Sequence, residues 1–141
     1  MGYLWQNHRC IADGAHFSYI ILMPIKPEIL EAFDNQYPGR EYVISITCPE
    51  FTCVCPRSGL PDFATIKIDY VPDKKCLELK ALKFYIQSYR DIGIFHENAV
   101  NRILEDLVKI LSPRKMTVVG DFNPRGNIHT VVTASYPDRD R

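Results

Sequence analysis

Along this chain the apolar positions fall into short blocks, each with a recognisable period. Glu41 to Cys48 (Glu-Tyr-Val-Ile-Ser-Ile-Thr-Cys) is β-branched and roughly alternating, which predicts a strand. Ala64 to Val71 alternates strictly, placing Ile66, Ile68 and Tyr70 on one face and Lys67 and Asp69 on the other. Leu82, Tyr85, Ile86 and Tyr89 recur at steps of three and one, the stripe of an amphipathic helix over 82–90. Val100, Ile103, Leu104, Leu107, Ile110 and Leu111 give a cleaner helical face over 97–111, which Ser112-Pro113 closes. Lys115 to Phe122 reads as a strand whose end Gly120 weakens, Asn123 to Asn127 as a turn, and Ile128 to Ala134 as a last strand. The order is strand, strand, helix, helix, strand, strand. It predicts an α+β fold (ββααββ), an antiparallel four-stranded sheet with two helices on one face. Such a sheet keeps open edges, which oligomerisation into a closed ring would remove.

The first 40 residues are patterned less clearly. Residues 1–16 read as an arm, Phe17 to Ile25 as a strand, and Pro27 to Phe33 as a short helix with proline at its first position. The chain therefore divides into an N-terminal arm, 1–40, and a main domain, 41–141. Between the first two main strands lies Phe51 to Phe63, rich in proline, glycine and cysteine, which reads as a shaped loop.

Composition narrows the classes. With 141 residues, 46% apolar, the chain is long enough to bury one real core. Its 17 basic and 17 acidic side chains cancel, so no global charge argues for nucleic acid or an anionic membrane. The longest apolar run, Tyr19 to Ile25, is too short to span a bilayer, and no secretion signal is visible, so the cytoplasm is expected. Five cysteines form an odd set and read as free thiols rather than a disulfide framework. Cys48, Cys53 and Cys55 with His96 could form a zinc set, but C-x4-C-x-C is not the spacing of paired knuckles, and no metal is assigned.

Cys55 is the candidate nucleophile, presented by a loop before Pro56, with Cys53 expected to face the other way. Asp62 is the candidate proton donor or acceptor beside it, and a turn-forming aspartate is the plainer alternative. His96-Glu97 opens the second helix, where Glu97 either answers the helix dipole or faces a ligand. Lys80 and Lys83 share a helical side, as a solvated face or a phosphate contact, and Arg125-Gly126 adds a third cation and an approachable backbone. Neither a dinucleotide-binding glycine fingerprint nor a P-loop is present.

In order, Cys-Pro-Glu-Phe-Thr with Cys55 and Asp62, the octapeptide Glu78 to Tyr85, Phe95-His96-Glu97, and Gly120-Asp121-Phe122 leading to Pro124-Arg125-Gly126 resemble the 7-cyano-7-deazaguanine reductases, the QueF family, in their short single-domain form. The octapeptide matches the family signature E-[SL]-K-[SA]-x-K-[LY]-[YFW] except for Phe84 at its seventh place. The resemblance covers about residues 41–134. It implies the tunnelling fold, closed into a barrel by a homo-oligomer, a decamer of two stacked pentamers with active sites between subunits. It also implies reduction of a nitrile on a 7-deazaguanine by NADPH in queuosine biosynthesis. Cys55 would form a thioimide and Asp62 would supply the proton. Leu77, Glu78, Leu79, His96 and Glu97 would bind the substrate, and Lys80, Lys83, Arg125 and Gly126 the cofactor. The alternatives weighed are the related archaeosine-pathway amidinotransferase, a zinc cyclohydrolase, and a binding module without turnover.

Overall fold

The computed structural model describes residues 25–138; the arm at 1–16 and all but the last residue of the strand expected at 17–25 lie outside them. A 3-10 turn, Pro27–Ile29, opens the described chain and gives way at once to a three-residue strand, β1, Ala32–Asp34. The short helix expected through Phe33 is therefore one turn only. Tertiary pairing wins here: β1 runs antiparallel to β4, Lys75–Leu77, with Phe33 opposite Cys76. Strands this short carry no period by which the sequence could announce them.

The main sheet comprises β2 (Ile44–Val54), β3 (Pro61–Val71), β5 (Lys115–Arg125) and β6 (Ile128–Tyr136), all neighbours antiparallel in the order β2-β3-β5-β6. Both β2 and β3 intrude into the stretch expected to be loop, leaving only residues 55–60 outside the ladder. Of the two prolines in that stretch, Pro56 stays in the remaining loop and Pro61 joins the ladder, while Pro49 lies inside β2. Pro49 is tolerated because β2 is an edge strand and its register shifts between Cys48 and Phe51. Pro61 is tolerated because it is the first residue of β3.

That bulge also changes which residues face inward. Before it Ile44, Ile46 and Cys48 pack against the core; after it Phe51 and Cys53 are buried. A second shift in β5, between Phe122 and Arg125, does the same for Arg125 after an alternation that buries Met116, Val118, Gly120 and Phe122. Gly120 does not end this strand, which runs five residues beyond it. A Cβ on Gly120 would lie 2.5 Å from Val100 Cγ2 and 2.9 Å from Phe122 Cε2, so the missing side chain is what lets the helix layer approach. The β5–β6 hairpin turns on Gly126 and Asn127, both at positive φ (55° and 66°), as a two-residue hairpin requires.

Helix α1, Leu79–Gln87, begins three residues before its apolar stripe because Glu78 caps it, accepting from the Lys80 and Ala81 N–H groups at 2.9 and 2.6 Å. Helix α2, His96–Leu111, ends on Ser112 in the left-handed region. Both helices bury their apolar faces against the same side of the sheet. Between them Tyr85 donates to Asp106 Oδ2 at 2.7 Å, Tyr89 meets the Tyr85 hydroxyl at 2.8 Å, and Arg102 Nε reaches the same carboxylate at 2.9 Å. One oxygen of a buried carboxylate thus accepts from two side chains. Among the described residues, the opposite side of the sheet, with Thr47, Lys67 and Asp69, carries no helix, and β2 and β6 are its edge strands.

Candidate active site

The site is built where β2 ends. Val54 accepts from the Ile94 N–H at 3.1 Å and donates its own N–H to Ile92 O at 2.9 Å, tying residues 92–94 beside the strand. This places the first turn of α2 next to the loop that carries Cys55. The loop closes on itself through Cys55 N–H to Leu60 O and Gly59 N–H to Cys55 O, both 2.9 Å.

Asp62 is not a loop residue, as the sequence reading had it, but the second residue of β3, paired opposite Cys53. Its alternation with Ala64, Ile66 and Ile68 puts it on the core face, and it is only 4% exposed. A carboxylate so buried needs partners. Arg125 Nη1 donates to Oδ1, and His96 Nε2 lies 3.2 Å from Oδ2. The His96 ring lies flat on Phe122, centroids 3.7 Å apart and planes 7° from parallel. The imidazole is therefore held by stacking on one side and by the carboxylate at its edge. The ion pair also holds the Arg125 guanidinium protonated, its pKa raised chiefly by the hydrogen bond to Asp62.

The two loop-side cysteines differ sharply. Cys53 is fully buried, and desolvation, helped by the charge of Asp62, pushes its thiol up to about 12. Cys55 is half-buried, and its pKa is lowered, first by a hydrogen bond from the Ser58 side chain and then by the Ser58 and Arg57 backbone. The Ser58 hydroxyl oxygen already accepts from Leu60 N–H and Arg125 Nη2, both at 3.2 Å, so its own O–H is free to donate to sulfur. The expectation that Cys53 would face away from Cys55 was mistaken in its reason: positions two apart on a strand return to one face. Burial in the paired strand, against emergence into the loop, is what separates the two thiols. Among the described residues, no group of three or more histidine, cysteine, aspartate or glutamate side chains is placed to hold a metal ion.

Cys55, Asp62, His96, Glu97, Arg125 and Gly126 all line one cleft of about 460 Å³. Leu77, Glu78 and Leu79 do not join them. They line a second cavity of about 520 Å³ with Tyr42, Ile44 and Tyr70. Ile44 pairs with Tyr70 at one end of the β2–β3 ladder and Val54 with Pro61 at the other, so at about 3.3 Å per residue the two cavities stand roughly 30 Å apart within one chain. Lys83 lines a third groove beside α1, and Lys80 is exposed on that helix. Ser58 and Phe122 were missed by sequence reasoning. Nothing in the local pattern marks a serine as the donor to a thiol, and Phe122 stands in a strand and in the Gly120-Asp121-Phe122 motif without a role at the site.

A family model described as QueF-like protein matches residues 61–141. The NADPH-dependent 7-cyano-7-deazaguanine reductase of Chloroherpeton thalassium is 55% identical over 112 residues, covering 79% of this chain and 97% of its own. The enzymes of the same description from Chlorobaculum tepidum and Thermomicrobium roseum are each 59% identical, covering 77% and 81% of this chain and 93% and 90% of theirs. Among solved structures, the archaeosine synthase QueF-Like in its apo form matches with a TM-score of 0.65 at 21% identity, over 70% of this chain and 96% of that one. At that identity the likeness is one of fold.

Proposed function

The chain belongs to the family of NADPH-dependent 7-cyano-7-deazaguanine reductases, and from that premise we propose how its residues divide the work. The reaction is reduction of the nitrile of 7-cyano-7-deazaguanine to an aminomethyl group, with NADPH as reductant, in queuosine biosynthesis. One observation carries the assignment of roles: a thiol of lowered pKa and a buried carboxylate, bracketed by an imidazole and a guanidinium, open into one cleft.

Cys55 attacks the nitrile carbon. A C–S bond forms as one C–N π bond opens, and the proton that leaves the Cys55 thiol is relayed by Asp62 to the nitrile nitrogen, giving a thioimide. His96, 3.2 Å from Asp62, keeps that carboxyl aimed and lies where it can return the proton. Arg125 engages Asp62 with one nitrogen and Ser58 with another, so the acid and the donor to the thiolate are held by one side chain. Glu97, exposed in the first turn of α2, accepts from the N–H edge of the heterocycle, and His96 lies beside it. When bound, NADPH supplies the hydride equivalents, two for each nitrile. The residues assigned to it fit that ligand: Lys83 stands at the rim of a groove floored by Ile46, Leu82 and Ile86, a cation beside an apolar slot. Lys80 extends the positive charge along α1, and Gly126 leaves the backbone near Arg125 open to a phosphate or ribose.

Leu77, Glu78 and Leu79 complete the substrate site by joining the Cys55 cleft of a neighbouring subunit. The separation of roughly 30 Å within one chain supports such an assembly, as do the edge strands β2 and β6 and a sheet face that carries no helix among the described residues. Two pentameric rings stacked as a decamer are the arrangement we propose. No helix of the described residues is long and apolar enough to cross a membrane, and the free thiols suit the cytoplasm.

The test is loss of nicotinamide absorbance when 7-cyano-7-deazaguanine and NADPH are added to the purified protein. Substrate-dependent oxidation near two NADPH per nitrile is expected. A covalent adduct on Cys55 with no oxidation would transfer the assignment to an amidinotransferase. Mixed disassembled subunits supply the check on shared sites: Cys55→Ala and Glu78→Ala chains, each inactive alone, should regain part of the activity when reassembled together.

A further inference from the structure

Between α1 and the edge strand β2 runs the groove that holds Lys83, and it holds a second cation with no role so far. The groove encloses about 310 Å³. Lys83, Gln87 and Arg90 form one rim, while Pro49 and Glu50, at the bulge of β2, form the other. Lys83 sits on α1 and Arg90 in the turn that follows its last residue, Gln87, so the two cations stand at separate points along one side of the groove. Both are exposed, and among the described residues neither forms an ion pair. Glu50 opposes anions on the β2 rim, so negative groups of a ligand belong on the α1 rim. An apolar floor with two separated cations on one side matches a nucleotide that carries anionic groups at two places.

We propose that Arg90 reads the 2′-phosphate on the adenosine half of the cofactor and sets the preference for NADPH over NADH. The inference rests on the reading that Lys83 meets the cofactor, and it assigns the two cations to different anions. Lys83 lies nearer the start of α1 and serves the diphosphate as a point charge. Arg90 presents a planar fork of donors, the geometry that a terminal phosphate accepts with two oxygens. NADH has no group at that place, so Arg90 contributes nothing to it.

Binding of NADP⁺ and of NAD⁺ to the intact protein, measured by calorimetry, separates the possibilities without turnover. Arg90→Ala should weaken NADP⁺ by roughly tenfold or more, the loss of one charge-assisted phosphate contact, and leave NAD⁺ within about twofold. Arg90→Lys should recover part of the NADP⁺ affinity. Steady-state rates should agree, with the NADPH-to-NADH ratio of kcat/KM collapsing in Arg90→Ala. Equal loss of both dinucleotides would overturn the proposal, because Arg90 would then be supporting the groove rather than reading the phosphate. Weakening of NADP⁺ by Lys83→Ala alone would overturn it while leaving the cofactor in this groove. If neither variant changes NADP⁺ affinity, the cofactor lies elsewhere and the reading of Lys83 fails with it.

Discussion

Alkylation of the native protein tests the electrostatics of the site directly, because two cysteines two positions apart should react on different scales. Burial pushes Cys53 up to about 12, while Cys55 is held below the ordinary value of 9.0. The gap of at least three pH units gives Cys55 a thiolate fraction at pH 7 at least about 10³ times larger. A lower pKa also makes a weaker nucleophile; at a Brønsted slope of about 0.4–0.5 that returns roughly 20- to 30-fold to Cys53. The net advantage of Cys55 is then at least about 30-fold before access is counted, and Cys53 is fully buried. Peptide-resolved mass spectrometry of iodoacetamide labelling against time would measure both rates. In Ser58→Ala the principal donor to the Cys55 thiolate is gone. The midpoint of its rate–pH curve should rise, and labelling at pH 7 should slow, because the thiolate has lost that hydrogen bond. A rate for Cys53 within a few-fold of that for Cys55, or an unmoved midpoint in Ser58→Ala, would refute the reasoning.

Other outcomes are expected from the same geometry. Asp62→Asn should keep substrate affinity, read by calorimetry, yet lose most reduction, because an amide cannot deliver the proton. Gly120→Ala should cost about 1–3 kcal/mol, since the new Cβ meets buried Val100, whose branched side chain has little rotamer freedom. Calorimetry should show Tm lower by roughly 3–10 °C, and a change under about 1 °C would remove the close-approach argument. Tyr85→Phe takes a donor from buried Asp106 and should lower stability in urea by about 1–3 kcal/mol while leaving the KM for substrate unchanged. Lys80→Ala and Lys83→Ala should chiefly raise the KM for NADPH; if they do not, those lysines are a solvated face of α1.

The sequence by itself determined the elements whose side chains repeat over many residues: the core face of β3 from Ala64 to Tyr70, the stripes of both helices, and the α+β order. Short-range chemistry was legible too, since Cys55, Asp62, His96-Glu97 and Arg125-Gly126 stood out and lie around one cleft. What periodicity could not carry was decided by pairing and by interrupted register. β1 and β4 exist because they pair with each other across the chain. Two bulges at proline reverse the alternation of β2 and β5, and with it which side Cys53 and Arg125 take. Proline and glycine make 51–63 read as loop, yet Pro61 is tolerated as the first residue of β3. Only the tertiary structure brings Arg125 to Asp62, His96 onto Phe122 and Ser58 between a guanidinium and a thiol. Each contact joins residues distant in sequence or reversed by a turn, and the strength of a buried charge or a thiolate depends on such neighbours rather than on its own type.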